Sequence, residues 1–337
     1  MRKLATVAEI EDVQPIPEAD KIVKVRVRGW WCVALKDEFK KGDLAVFFEV
    51  DSFLPDVPQF EFLKKGHHLK KMIVDGQERE GHQLKTVILR KQLSQGLALP
   101  VSQFPEAMGH VAGDDLTETL GVRLYEPPLD ASLSGVALGP RPGTVPRTDE
   151  ERIQNGLTWL DEYRGRKFVV TSKIDGTSMS VYSWQKHFGV CGRELEWTDT
   201  PTNTYWNVAR GHDLQSKMPE GYAVQGELAG EGIQGNRMTV KGQEMYVFRV
   251  WDISRGEFLD WSDTEKFSKD LDLPTVPVVF RDLVLDHTLE QLLALADGPC
   301  PINSRTPREG LVFALDAPGN RVSFKVISNA YLARYGL

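Results

Sequence analysis

The residues best suited to chemistry lie in TSKIDGTSMS, Thr171 to Ser180. Lys173 sits near the end of an apolar strand pattern, Asp175 follows two residues on, and Gly176 comes next. Strand alternation predicts that Lys173 and Asp175 share a face. Burial makes a lysine give up its proton more readily, and the neutral amine is a nucleophile. A neighbouring carboxylate opposes this unless a metal occupies the carboxylate. Gly176 permits a tight turn and lets a ligand approach the backbone. An ordinary Lys–Asp ion pair at a strand end has the same local sequence, so KIDG alone does not decide.

Other islands add to it. GELAG places Glu227 at the end of YAVQGEL, and REGLVF places Glu309 at the start of another strand. VSFKVIS sets Lys325 inside a third, with Phe324 and Val326 on its other face. VFRVWDI offers Phe248 or Trp251 as a flat surface for a base, and CGREL adds Arg193. Each has a plain structural alternative: strand-end charges for the acids, a snorkelling surface lysine for Lys325, a core aromatic for Phe248. Together, two lysines, three acids, an arginine and an aromatic can surround a nucleoside triphosphate. The acids would hold a divalent cation through oxygen, directly or through water, and the cationic side chains would balance phosphate charge.

Two phosphate-loop patterns are set aside. No GxxxxGK[ST] occurs, which excludes a P-loop NTPase. GEGIQG matches GxGxxG at Gly230, Gly232 and Gly235, but NRMTVKG after it is no amphipathic helix, so a loop is expected.

The elements that must position these residues fall into two parts. The first 125 residues read as β-rich, with IVKVRV (22–27), WWCVAL (30–35), LAVFFEV (44–50) and LKTVILR (84–90) separated by turn signals. Short strands so spaced suggest a small barrel or sandwich; an OB-type barrel, which binds oligonucleotides on one sheet face, has the right size. Residues 126–146, with five prolines and three glycines, read as a linker. The part over 147–337 then opens on PRTDEERIQN, where Thr148 and Glu151 form a capping-box pattern that predicts a helix. Strands are expected over 167–174, 178–184, 222–228, 246–253, 310–315 and 322–327, and helices over 264–270 and 289–296. Without a βαβ rhythm, this is an α+β domain of largely antiparallel sheets.

Composition narrows the classes. The chain has 337 residues, 41% hydrophobic and 26% charged, as in ordinary globular domains. The opening residues meet acids too soon for a signal peptide, and three cysteines without a CxxC pair suggest a reducing, cytoplasmic setting without a zinc site. A net charge of −7 argues against wholesale nucleic-acid binding but allows a basic groove. Lys64 to Lys71, with Arg79, Lys85, Arg90 and Lys91, is the candidate; a solvated loop is the alternative.

In this order the islands resemble the nucleotidyltransferase motifs of ATP-dependent polynucleotide ligases and mRNA capping enzymes. KIDG is similar to motif I, GELAG to motif III, VFRVWDI to motif IIIa, REGLVF to motif IV and SFKVIS to motif V. Arg193, twenty residues after Lys173, matches the motif Ia arginine of RNA ligases. The sequence has no counterpart of the C-terminal OB domain and motif VI of DNA ligases and capping enzymes. With the β-rich segment in front, it resembles RNA ligase family 5, where an N-terminal OB module precedes the ligase domain.

The resemblance implies three nucleotidyl transfers. Lys173 takes AMP from ATP as a lysyl-AMP, AMP passes to a 5′-phosphate, and a 3′-OH attack seals the break. It implies Asp175, Glu227 and Glu309 around Mg2+ or Mn2+, with Lys325 balancing phosphate charge and, beside the metal, depressing the pKa of Lys173. Ile174 lies beside the nucleotide, Phe248 on adenine, and Arg193 at the nucleotide or the 3′-OH strand. Arg147, Arg152 and Gln154 are further candidates for the nucleotide or the end. The implied substrate is a nicked duplex with an RNA 3′-OH, and the expected state is a monomer with no membrane partner. Three alternatives stay open here: a DNA ligase, a GTP-using capping-type enzyme, and a nucleic-acid-binding protein with a decayed ligase domain.

Overall fold

The computed structural model describes residues 2–66, 69–126, 136–317, 319 and 322–336. The chain divides into two compact units, Met1–Leu129 with Leu332–Leu337, and Asp130–Tyr331.

The first unit is built from short antiparallel strands. Ile22–Val27 and Trp30–Leu35 form where their patterns predict them and pair with each other, and Asp12–Pro15 joins Ile22–Val27. Leu44–Phe48 lies between Ala5–Glu9 and Leu97–Pro100. It is apolar throughout because both its faces are covered. Val46 and Phe48 enter one core cluster, and Ala45 and Phe47 the other. LKTVILR contributes only Val87–Leu89 as strand, which turns through Arg90 and Lys91, at φ 50° and 64°, to pair with Gln92–Ser94. Positive φ at both turn residues matches the twist of a two-residue hairpin.

In the second unit two antiparallel sheets carry the motifs. One has four strands in the order Val278–Val284, Lys167–Ser172, Gly310–Leu315 and Ser323–Ile327. The other has seven, ordered Ala137–Pro140, Leu195–Trp197, His187–Cys191, Thr177–Trp184, Tyr222–Gly230, Gln243–Asp252 and Glu257–Phe258. The expected linker falls partly on 127–135, which lie outside the described residues. Beyond them, Ala137–Pro140 is a strand of the seven-stranded sheet.

Behind the four-stranded sheet, Phe168, Phe313 and Phe324 are fully buried, and Phe313 stacks on Phe324 with centroids 4.8 Å apart. Each such ring contributes roughly 2–3 kcal/mol of burial free energy. Leu289 and Leu292 of the helix Leu289–Ala296 complete this core. That helix begins with a true capping box between Thr288 and Gln291.

The helix expected from Thr148 does not form. Residues 148–152 run extended instead: Arg152 makes a parallel bridge to Lys325, and the Lys325 amide donates to the Glu151 carbonyl at 2.7 Å. Thr148 spends its hydroxyl on Ser178. The two TxxE/Q patterns differ in the residues C-terminal to them: LEQLLALA supplies an apolar helical stripe, and RIQNG does not. The open edge of Ser323–Ile327 then recruits the segment.

Gly230 to Gly242 forms the loop expected of GEGIQG, with only a short 3-10 turn at Gln234–Asn236. Cys32, Cys191 and Cys300 are free and buried, and no helix among the described residues is long and apolar enough to cross a membrane.

Candidate active site

A cavity of about 460 Å³ opens in the second unit, and its wall draws on both sheets. Seven of the residues singled out in the sequence for chemistry line it: Lys173, Ile174, Gly176, Arg193, Glu227, Phe248 and Lys325.

Lys173 stands just past a strand end. The strand stops at Ser172 and residues 173–176 form a bend, so alternation does not place Lys173 and Asp175 on one face as expected. The Lys173 amide still donates to Gly310 O at 2.9 Å, which fastens the bend to the neighbouring strand. Lys173 Nζ lies 2.8 Å from Glu309 Oε1. Burial works against its charge, but Glu309, Glu227 and Asp175 outweigh burial and hold the amine above its ordinary pKa. In the ligand-free protein Lys173 is therefore an ammonium.

Gly176 is required by packing. A Cβ there would lie 2.4 Å from the Leu228 carbonyl oxygen and 2.9 Å from Glu227 Cγ. The bend thus presses against Tyr222–Gly230 where that strand carries Glu227. Burial pushes the Glu227 carboxyl up to about 7, against the lowering pull of Lys173.

Phe248 reaches the cavity through an irregularity. Gln225 pairs with Arg249 and Gly226 with Val247, so Phe248 is the extra residue of a bulge. Met245 and Val247 are buried before it, Val250 and Asp252 after it, and both Phe248 and Arg249 line the cavity. The Arg249 guanidinium lies 5.4 Å from the Phe248 ring centroid. Its nitrogens donate to Gln225 Oε1 and Glu150 Oε1, both at 2.8 Å.

Lys325 behaves as its alternation predicts: it lines the cavity while Phe324 and Val326 are fully buried. Arg193 follows the strand His187–Cys191 and pairs with Asp149 at 2.8 Å.

Other expected residues lie off the cavity wall. Asp175 turns one oxygen, Oδ2, to the Tyr331 hydroxyl and the Arg237 guanidinium. Gln154 is buried in the 3-10 turn Ile153–Asn155, Arg152 bridges Lys325 through its backbone, and Arg147 pairs with Glu194 at 3.0 Å. Glu309 is not on the wall but contacts Lys173 directly.

Among the described residues no three of His, Cys, Asp or Glu converge as a ready-made metal cage. A divalent cation nonetheless fits part of the set. Glu309 Oε2 is buried without a hydrogen-bond partner, and the nearby Glu227 is an acid that burial keeps reluctant to ionise. A hard cation would satisfy the first and favour the charged form of the second. Asp175 is held elsewhere.

Sequence reasoning missed Arg249 and the extended Thr148–Glu150 stretch, which also line the cavity. Arg249 neighbours Phe248 in VFRVWDI, where strict alternation sends the two apart; only the pairing register reveals the bulge.

An OB-fold domain model matches residues 4–101, and an RNA ligase model matches residues 166–327. Over 99% of both chains, the structure is similar to the Naegleria gruberi RNA ligase with pyrophosphate, at 42% identity and a TM-score of 0.83. Mutants of that enzyme are similar at the same identity, one with AMP and Mn (TM-score 0.82) and one with ATP and Mn (TM-score 0.81), each over 98–99% of both chains. A comparison with curated protein sequences returned no match.

Proposed function

This chain belongs to the family of ATP-dependent RNA ligases, and we propose that it seals 3′-OH/5′-phosphate nicks in duplexes, with Lys173 as the residue that takes AMP. The observation that carries the assignment of Lys173 is its place: a half-buried ammonium on the wall of the cavity, 2.8 Å from Glu309, on a wall it shares with Glu227, Lys325 and Phe248.

Lys173 must lose a proton before it can attack. That proton passes to solvent, and Glu309, at hydrogen-bond distance, orients the amine. The neutral Nζ then bonds to the α-phosphorus, the bond from that phosphorus to the bridging oxygen breaks, and pyrophosphate leaves with the electron pair. Lys325 offsets charge gathering on the phosphoryl oxygens. Arg193 meets the phosphates or the 3′-OH strand, Ile174 packs beside the nucleotide, and Phe248 with Arg249 behind it forms the surface for adenine. A divalent cation, when bound, supplies further stabilisation of phosphate charge, and Glu309 and Glu227 are the residues that would hold it.

In the second transfer a 5′-phosphate oxygen bonds to the phosphorus, the P–N bond breaks, and Lys173 recovers its amine. In the third the 3′-oxygen attacks the activated 5′-phosphate and AMP departs, with the hydroxyl proton passing to solvent or base. The family resemblance supports a preference for RNA at the 3′-OH strand.

Incubation with ATP labelled at the α-phosphate, followed by a denaturing gel, tests the first transfer. Parent protein acquires a label and Lys173→Ala does not. Label in Lys173→Ala overturns the assignment. Paired nicks ending in 3′-ribose or 3′-deoxyribose test the substrate; equal sealing of both overturns the preference for an RNA end.

A further inference from the structure

The bend after Lys173 is fastened by two residues with no task in the scheme above. Asp175 is largely buried, and its Oδ2 accepts from the Tyr331 hydroxyl at 2.6 Å and from Arg237 Nη1 at 2.8 Å. Arg237 Nη1 also lies 3.3 Å from the Tyr331 oxygen, so the three side chains close a ring. The partners come from 62 and 156 residues away in sequence.

Both partners are anchored in turn. Tyr331 is 3% exposed and belongs to the helix Asn329–Tyr335. Its amide donates to Ser328 Oγ, which donates to Asp297 Oδ1 at 2.6 Å, and the same carboxylate oxygen accepts from the Ala330 amide. Asp297 caps the end of Leu289–Ala296, so the start of the last helix is tied to the sheet's own helix. Arg237 follows Gln234, Gly235 and Asn236, with φ of 45°, 72° and 46°. Left-handed conformation at Gln234 and Asn236 is unfavourable without support. Asn236 supplies it by donating to Val240 O and accepting from Val240 N, both at 2.9 Å.

None of Asp175, Arg237 and Tyr331 lines the cavity. Yet Asp175 is two residues from the attacking amine, and the bend between them has no ladder of its own. Hydrogen bonds from a guanidinium and a phenol to a carboxylate are strong and directional.

We infer that Tyr331 and Arg237 are positioning residues for adenylyl transfer: they clamp Asp175, and through it the bend that aims Lys173 at the α-phosphorus. The inference rests on the reading of Lys173 above. The last helix thereby belongs to the active site without touching the nucleotide. A misplacement of about 1 Å at an attacking atom costs up to about a hundredfold in rate, whereas ATP binding depends on cavity walls that the clamp does not form.

The test is single-turnover self-adenylylation of full-length protein with α-labelled ATP and Mn2+. The variants are Tyr331→Phe, Arg237→Gln, Arg237→Lys and Asp175→Asn, and each of the first two is also made in the Asp175→Asn background. Tyr331→Phe keeps the ring in place and is expected to lower the rate constant about tenfold. The ATP concentration at half-saturation should stay within about twofold of parent. Arg237→Gln should do the same, and Arg237→Lys should recover part of the loss. In the Asp175→Asn background neither change should lower the rate much further, because the lever is already gone.

A Tyr331→Phe rate within twofold of parent overturns the clamp. So does a loss that repeats in full in the Asp175→Asn background, or one that appears wholly in ATP half-saturation. If Tyr331→Phe fails to fold, the Arg237 pair carries the same test. Absence of label in parent protein would defeat the underlying reading of Lys173, and is distinguishable from every outcome that concerns the clamp.

Discussion

The two sheets that wall the cavity bring different chemistry to it. The four-stranded sheet contributes Lys173 just past one strand, Glu309 just before the next and Lys325 within a third. Charge is set against charge there, on a sheet whose other side is stacked phenylalanines. The seven-stranded sheet contributes Glu227, Phe248 and Arg249: one acid kept reluctant to ionise, and an aromatic surface backed by a guanidinium. On the function proposed above, the first sheet breaks and makes bonds and the second receives a base. On that reading the reactive groups belong to the four-stranded sheet, and the recognition surface is made by a strand with a bulge.

If this division is right, substitutions on the four-stranded sheet lower rates, and those on the seven-stranded sheet weaken ATP binding. The largest effect is expected for Lys173→Ala, which removes the amine proposed to take AMP; a denaturing gel with α-labelled ATP should show no band above background.

Next comes Lys325→Ala, with a loss of roughly 10²–10³ in the single-turnover rate, the scale for removing a group that stabilises developing charge. If its main effect fell on ATP half-saturation, the division would fail. Phe248→Ala should raise the half-saturating ATP concentration by roughly tenfold or more, in line with about 1–3 kcal/mol per stacked base. A rate constant more affected than half-saturation would break the comparison from the other side.

A gentler test uses pH. The folded Glu227 carboxyl is raised to about 7 from 4.5. Between those values the folded protein holds a proton that the unfolded chain has released, so this acid makes stability fall as pH rises through the window. In metal-free protein, thermal melting tracked from pH 5 to pH 8 should slope downward, and Glu227→Gln should flatten the slope. Parallel curves for parent and variant would show that Glu227 titrates as in water.

The smallest effect concerns the first unit. Lys70→Ala with Lys71→Ala should weaken nick binding several-fold at low salt and leave self-adenylylation intact. The effect is modest because part of that basic run is already committed: Lys64 pairs with Asp56 at 3.1 Å and Lys71 with Glu78 at 2.7 Å. His67 and His68 of the run lie outside the described residues. Equal nick affinity of variant and parent across a salt titration would remove this segment from the nucleic-acid path.

Much of this was legible in the sequence because each cue was local. GLVFAL becomes the strand Gly310–Leu315 without adjustment, and Lys325 faces the cavity because a regular strand leaves it no other choice. The features that sequence did not disclose were set by distant partners. Asp175 takes its direction from Arg237 and Tyr331, and no spacing within KIDG encodes them. Thr148 to Arg152 carries a helix signal but lies along a strand edge supplied by residues more than 170 positions later. The protonation of Lys173 depends on how many carboxylates the fold gathers around it, and counting motifs gave the residues without that balance.

The extra residue at Phe248 also limits what can happen to this strand over time. Odd-numbered positions face the core up to Val247, and even-numbered positions from Val250 onward. The strand changes phase at one point, and that point is the surface proposed for adenine. Loss of a single codon there would restore a uniform phase with Val247 and Val250 still on the core face, but it would take away one of the two adjacent residues, Phe248 and Arg249, that the bulge turns to the cavity. Substitutions at the bulge can be tried one at a time, but its length cannot drift. Across descendants, the count of residues between Gln243 and Asp252 should therefore vary less than their identities.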